Sequence, residues 1–318
     1  MVHATSEGAA LDLVTDVGAD QDARRREQMR ARYPDVEGMI ERDGVRVAYE
    51  VYGQGDPTVL FAPTWSIVHS RIWKAQIPYF ARRHRVIAVD ARGNGLSDRP
   101  STAAAYAEPE MAADLLATMD ATDSERAVVV SLSLGAQRSL ILATEHPERV
   151  SGLVFLGPSV SLGKGPVRRN MSFDKALDRY DGWAKYNRNF WRRDYHAFLE
   201  FFFAQCFTES HSTKQIEDAV DWGSETDAET LILTNEGAGL SEEETLRLCA
   251  AIRCPTLVIQ GDEDAVTGPG RGFALADAIP HAALVTVAGG GHILNAREPV
   301  LVNLLIRDFI RTLAGDRR

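Results

Sequence analysis

The stretch Val128-Val129-Val130-Ser131-Leu132-Ser133-Leu134-Gly135-Ala136 decides the fold class of this chain. Its apolar, β-branched start reads as a buried strand. The strand runs into Ser-x-Ser-x-Gly, and a helical pattern follows over 136–146. A strand that turns at once into a helix makes a tight corner with a strained residue at its apex. The backbones two before and two after that residue nearly touch, so both positions need small residues. Around Ser133 they are Ser131 and Gly135; around Ser131 the earlier one would be Val129, which is too bulky. Ser133 is therefore the candidate nucleophile. The helix start adds free N–H groups and a positive dipole end, suited to a developing oxyanion. Alone, the motif also fits an ordinary turn.

A hydroxyl nucleophile needs a base within hydrogen-bond reach. His292 ends Ala288-Gly289-Gly290-Gly291-His292, between the last strand and the last helix. The three glycines let that loop approach the elbow and turn sharply. The base in turn needs a carboxylate to fix its tautomer. The apolar run at 256–259 ends in Gln260-Gly261-Asp262-Glu263-Asp264, which offers two. The loop after the preceding strand, Gly157-Pro158-Ser159, offers none.

Further out, 39–42 and 45–52 read as strands around Asp43-Gly44, a strong hairpin signal. Short apolar runs at 59–62, 86–89, 127–130, 153–156, 256–259 and 283–287 alternate with loops and helical stretches, ending in a helix over 299–313. This predicts the α/β class: a mostly parallel sheet flanked by helices on both faces. Between 158 and 237 the scheme is interrupted by a stretch dense in aromatics, read as a helical cap inserted in the core of 35–157 and 238–318. Phe190, Trp191, Phe198, Phe201 and Phe202 recur at helical spacing and should share one face. Such a face either packs the cap on the sheet or roofs the pocket above Ser133, with Trp191 and Phe202 as candidate substrate contacts. Residues 1–34 read as an extension, with an arginine-rich short helix at 23–32 whose charges form a solvated face.

Of 318 residues 45% are hydrophobic and 25% charged, as in ordinary globular proteins, and the formal net charge is −10. That charge argues against sequence-independent nucleic-acid binding. No run is long and apolar enough for a membrane span, and no secretory signal is apparent. Cys206, Cys249 and Cys254 form no CxxC pair and no even disulfide set, which points to inert thiols and a cytoplasmic protein. No His/Cys spacing suggests a metal, and no cofactor is implied. The oligomeric state is not encoded in any recognisable pattern.

Four motifs fall in one order: Asp90-x-Arg92-Gly93-x-Gly95-x-Ser97-Asp98, the elbow, Gly261-Asp262-x-Asp264 and Gly290-Gly291-His292. With them the chain resembles lidded α/β-hydrolase-fold proteins over residues 36–318, whose triad order is Ser, Asp, His. In that family's Gly-Asp-x-Asp pattern the second aspartate pairs with the histidine, so the resemblance implies a Ser133, His292, Asp264 triad. Pro63-Thr64-Trp65-Ser66-Ile67-Val68-His69-Ser70-Arg71 is also similar to hydrolase domains found beside nucleotide-cyclase domains in actinobacterial proteins. The chain departs from the family pattern twice. Ser131 replaces the elbow glycine, and Ala62-Pro63-Thr64-Trp65-Ser66 replaces the usual His-Gly after the first parallel strand. Pro63 cannot donate a hydrogen bond. The implied oxyanion donors are therefore the N–H of Leu134 and that of Trp65, with Thr64 or Ser66 as alternatives.

Asp90, Arg92 and Asp98 read as a loop brace, and His69 and Arg71 stand near the implied oxyanion hole. A serine nucleophile implies acyl chemistry on an ester, thioester or lactone of a bulky, mainly apolar small molecule. The alternatives are a non-hydrolytic enzyme of secondary metabolism (acyl transfer, cyclisation or elimination) and a low-turnover small-molecule sensor.

Overall fold

The structure is a computed structural model that describes residues 31–163, 172–313 and 315. Most of the arginine-rich segment and most of the expected extension lie outside these residues. Strands β1 (Val36–Arg42) and β2 (Val45–Tyr52) form an antiparallel hairpin. At its tip Asp43 and Gly44 have φ of 52° and 75°, the paired left-handed conformations that an Asp-Gly hairpin turn demands.

Then follow β3 (Thr58–Phe61), β4 (Val86–Val89), β5 (Ala127–Leu132), β6 (Val150–Leu156), β7 (Thr256–Gly261) and β8 (Ala283–Val287). The eight strands lie in the order β1-β2-β4-β3-β5-β6-β7-β8. From β4 to β8 every pairing is parallel, so the ends of β3, β5, β6 and β7 open onto one sheet edge.

Alternate side chains of the central strands enter two cores. Val59, Phe61, Val128, Val130, Val154 and Leu156 face one side. Leu60, Ala62, Val129, Leu153 and Phe155 face the other. The second side is covered by α2 (Glu108–Ala121), α3 (Gly135–Glu145), α8 (Glu242–Ala251) and α9 (Pro269–Ala278). The first is covered by the short α1 (Ile77–Phe80), by α10 (Leu294–Arg297) and α11 (Pro299–Leu313), and by the insertion.

Between β6 and β7 the chain forms α4 (Arg188–Arg193), α5 (Tyr195–Cys206), α6 (Thr213–Gly223) and α7 (Ala228–Glu236) ahead of α8. The aromatic stripe does not lie on one helix, as its spacing suggests. Asp194 breaks the run in a non-helical conformation, φ −155° and ψ 77°, and its carboxylate caps α5 by accepting the Ala197 N–H. An aspartate at this position satisfies a helix start better than a helix interior. The rings converge from two helices instead, with Trp191 and Phe198 centroids 4.5 Å apart.

Candidate active site

Ser133 sits between β5 and α3 with φ of 52°, a left-handed conformation that a non-glycine residue adopts only when its surroundings hold it. Two bonds from the neighbouring strand end do so. The Ser133 N–H donates to the Leu156 carbonyl at 2.9 Å, and the Ser159 N–H donates to the Ser133 carbonyl at 2.9 Å. A methyl group on Gly135 would lie 2.7 Å from the Pro63 carbonyl oxygen and 3.3 Å from Ser131 Cβ. The demand for small residues around the elbow is therefore met, and Ser131 is accommodated where glycine is usual.

His292 Nε2 lies 2.9 Å from Ser133 Oγ, and its Nδ1 lies 2.8 Å from Asp264 Oδ2. Asp264 also accepts the Val266 and Thr267 N–H groups, the Thr267 hydroxyl and the Gln260 side-chain amide. Burial alone would raise the pKa of this carboxyl. The adjacent imidazole and the donated hydrogen bonds outweigh burial and hold it far below the usual carboxylate range. Asp262 takes no part in this chain of bonds: its Oδ1 accepts the Gly289 N–H at 2.7 Å and so braces the loop that carries His292.

Glycines keep the space open. Gly157 has φ of 46°, and a methyl there would stand 3.2 Å from His292 Nδ1 and 3.4 Å from Asp264 Oδ2. A methyl on Gly261 would stand 2.1 Å from the Gly290 carbonyl oxygen.

The backbone N–H groups of Leu134 and Trp65 donate no hydrogen bond among the described residues. The Trp65 ring lies 5.4 Å from that of Phe202 and 5.9 Å from that of Trp191, so this loop meets the aromatics of the insertion. Trp191 is not positioned to touch a ligand. It is 0% exposed, enclosed by the rings of Trp65, Phe173, Tyr186 and Phe198, and its indole N–H is bound to the Lys185 carbonyl. Its aromatic surface is fully used in packing the insertion.

The other sequence candidates are braces. Asp90 accepts the Ser70 and Leu96 N–H groups; Arg92 forks onto Asp114; Asp98 pairs with Arg46. His69 faces Glu225 at 3.3 Å, and Arg71 forks onto Glu50, so neither is directed at Ser133. Cys206 and Cys249 are buried, and burial pushes the Cys249 thiol up to about 12, as an inert thiol requires.

Sequence reasoning missed Thr267, Gln260 and Gly157, which all surround the Asp264–His292 pair. It also missed Arg138 and Glu108 beneath the Thr64–Trp65 loop. Thr267 had a local signal, a hydroxyl three residues after the acid.

The profile of the alpha/beta hydrolase fold matches residues 57–299. A candidate carbamate hydrolase, RutD, from Variovorax paradoxus is 28% identical over 273 residues, 84% of this chain and 97% of that protein. A candidate non-heme bromoperoxidase, BpoC, from Mycobacterium tuberculosis is 29% identical over 279 residues, covering 85% and 99%. Among solved structures, Est816, described as an N-acyl homoserine lactone degrading enzyme, superposes with a TM-score of 0.68 at 27% identity. That match covers 86% of this chain and all of that one.

Proposed function

Since this chain belongs to the alpha/beta hydrolase fold family and is a hydrolase, we propose that it cleaves an ester, thioester or lactone of a small, mainly apolar molecule through a Ser133 acyl-enzyme. The observation that carries this reading is the continuous bond from Ser133 Oγ through His292 to a buried Asp264, with Ser133 held at φ 52°. The degradation of a lactone by Est816 and the carbamate hydrolase name of RutD support carbonyl chemistry.

With its Nδ1 proton directed to Asp264, His292 leaves Nε2 to take the Ser133 proton as Oγ attacks the carbonyl carbon. Asp264 balances the imidazolium that forms. The Leu134 and Trp65 N–H groups hold the oxyanion of the tetrahedral intermediate. Collapse breaks the bond to the leaving oxygen or sulfur, which takes the proton from Nε2. Water, deprotonated by His292, then releases the acid and restores Ser133. For a lactone the leaving oxygen stays on the same molecule, so the product is a hydroxy acid. We take Phe202, whose ring packs edge-on against Trp65, as the aromatic that meets an apolar acyl or alcohol group.

Hydrolysis of p-nitrophenyl esters of graded chain length and of aliphatic lactones tests the reading. Ser133→Ala should reduce kcat by about three or more orders of magnitude, as loss of a triad member does. Undiminished turnover by the folded variant would refute Ser133 as nucleophile.

A further inference from the structure

The Thr64–Trp65 peptide is held at its oxygen by a buried cation. Arg138 Nη1 donates to the Thr64 carbonyl at 3.2 Å. The same guanidinium directs Nε and Nη2 to the two oxygens of Glu108, each at 3.0 Å. Arg138 is 1% and Glu108 3% exposed, so water does not compete for these bonds. Arg138 lies on α3, one turn beyond the Leu134 N–H at its start.

A trans peptide is planar, and its C=O and N–H point in opposite directions. Fixing the Thr64 oxygen therefore fixes the direction of the Trp65 N–H. The rest of the loop cannot swing to compensate. The Trp65 indole donates to Thr234 Oγ1 at 2.8 Å, Ser66 Oγ donates to the Arg92 carbonyl at 2.6 Å, and Asn94 donates to the Ser66 carbonyl. The Pro63 carbonyl is pressed over Gly135.

We infer that Arg138, locked by Glu108, is a positioning residue that aims the Trp65 N–H at the reacting oxygen. It makes Trp65, rather than Thr64 or Ser66, the second oxyanion donor, and it ties that donor to the helix that bears the first. The inference rests on the acyl-enzyme reading above. A buried ion pair is a weak source of stability, because desolvating both charges offsets their attraction. A fork that spans one carboxylate and one carbonyl of the site is what positioning requires, and an arginine holds its donors in a rigid plane where a lysine ammonium does not.

Two variants test this. Arg138→Lys keeps a charge beside Glu108 but loses the fork. The double variant Arg138→Met with Glu108→Gln removes both charges and leaves no buried carboxylate unpaired. Thermal melts establish that each is folded. In both, kcat for a p-nitrophenyl ester and the rate of phosphonylation by a fluorophosphonate should fall about tenfold or more, with KM changed less than about twofold. This split is expected because an oxyanion contact acts mainly in the transition state. A crystal structure of the phosphonylated parent needs no substitution. Its phosphonyl oxygen should lie within about 3.2 Å of the Leu134 and Trp65 nitrogens, with Thr64 still bound to Arg138. Parental rates in folded variants, a change confined to KM, or a phosphonyl oxygen on the Thr64 or Ser66 N–H overturns the inference. A parent that takes no label on Ser133, with Ser133→Ala as control, removes the acyl-enzyme reading and this inference with it. A labelled parent with unimpaired Arg138 variants removes this inference alone.

Discussion

At the scale of single residues, two aspartates two positions apart carry different loads. Asp264 accepts His292 Nδ1, two backbone N–H groups and a hydroxyl, whereas among the described residues Asp262 accepts the Gly289 N–H of the loop below and nothing from the histidine ring. Asp264→Asn should therefore lower kcat by about three to four orders of magnitude, through the wrong imidazole tautomer. Asp262→Asn, which keeps an acceptor for Gly289, should cost less than about tenfold; kinetics on the purified variants check the ranking. The depressed pKa of Asp264 has two further consequences. Above pH 4 the carboxylate is already ionised, so its protonation should contribute nothing to the pH dependence of kcat/KM there. A folded-state pKa below the unfolded value of about 3.9 gives stability that is complete above the unfolded value and is lost progressively as pH falls from there toward the folded-state pKa. The parent melting temperature should thus drop more between pH 5 and pH 3 than that of Asp264→Asn, in parallel calorimetric scans. Which aspartate pairs with His292 was legible only through the family pattern. Thr267 and Gln260 were not, because a side chain that reaches back to a neighbour's carboxylate leaves no periodic trace.

At the scale of elements, the central strands were legible because both of their faces are buried, one in each core, so each survives in the sequence as a short continuous apolar run. The insertion was legible as helical, but its break at Asp194 was hidden. Spacing across 190–202 fits one helix, and a single capping bond decides otherwise. Nor does sequence reveal what the end of α5 does. The Cys206 carbonyl accepts the N–H groups of His292 and Ile293, at 3.0 and 3.4 Å. Three residues on, Glu209 Oε1 accepts the Gly291 N–H at 2.7 Å. The histidine loop thus hangs from the insertion at two points and from Asp262 at a third. Small displacements of a catalytic group are costly, about a hundredfold for an ångström. Glu209→Ala should lower kcat about tenfold, while Glu209→Gln, which keeps the oxygen acceptor, should restore most of it. Equal losses in both would show that the carboxylate's charge, not the hydrogen bond, is what matters.

At the scale of the whole molecule, the insertion and the sheet share one core. Phe61, Val130 and Leu156 of the central strands, Val302, Ile306 and Ile310 of α11, and Phe190, Trp191, Phe198 and Phe203 of the insertion form one continuous buried cluster. Trp65 packs against it at the junction. A lid hinged on a thin neck would melt before the body it covers. A shared core predicts that both melt together, because apolar surface on each side is buried by the other. Phe198 is a suitable probe: it is 0% exposed, lies on α5 and stacks on Trp191, with no bond to the elbow or the histidine loop. Phe198→Ala leaves a cavity in the insertion and should cost about 3–5 kcal/mol. The loss should appear as one transition shifted to lower temperature, coincident in far-ultraviolet circular dichroism and in tryptophan fluorescence. Fluorescence reports chiefly on the insertion and its junction, since Trp65, Trp183, Trp191 and Trp222 lie there and only Trp73 lies within the body. Dichroism reports on all helices, including α2, α3 and α11 of the body. A fluorescence transition that moves ahead of the dichroism transition in Phe198→Ala would mean that the insertion unfolds alone, and that the continuity of the cluster does not make it one cooperative unit.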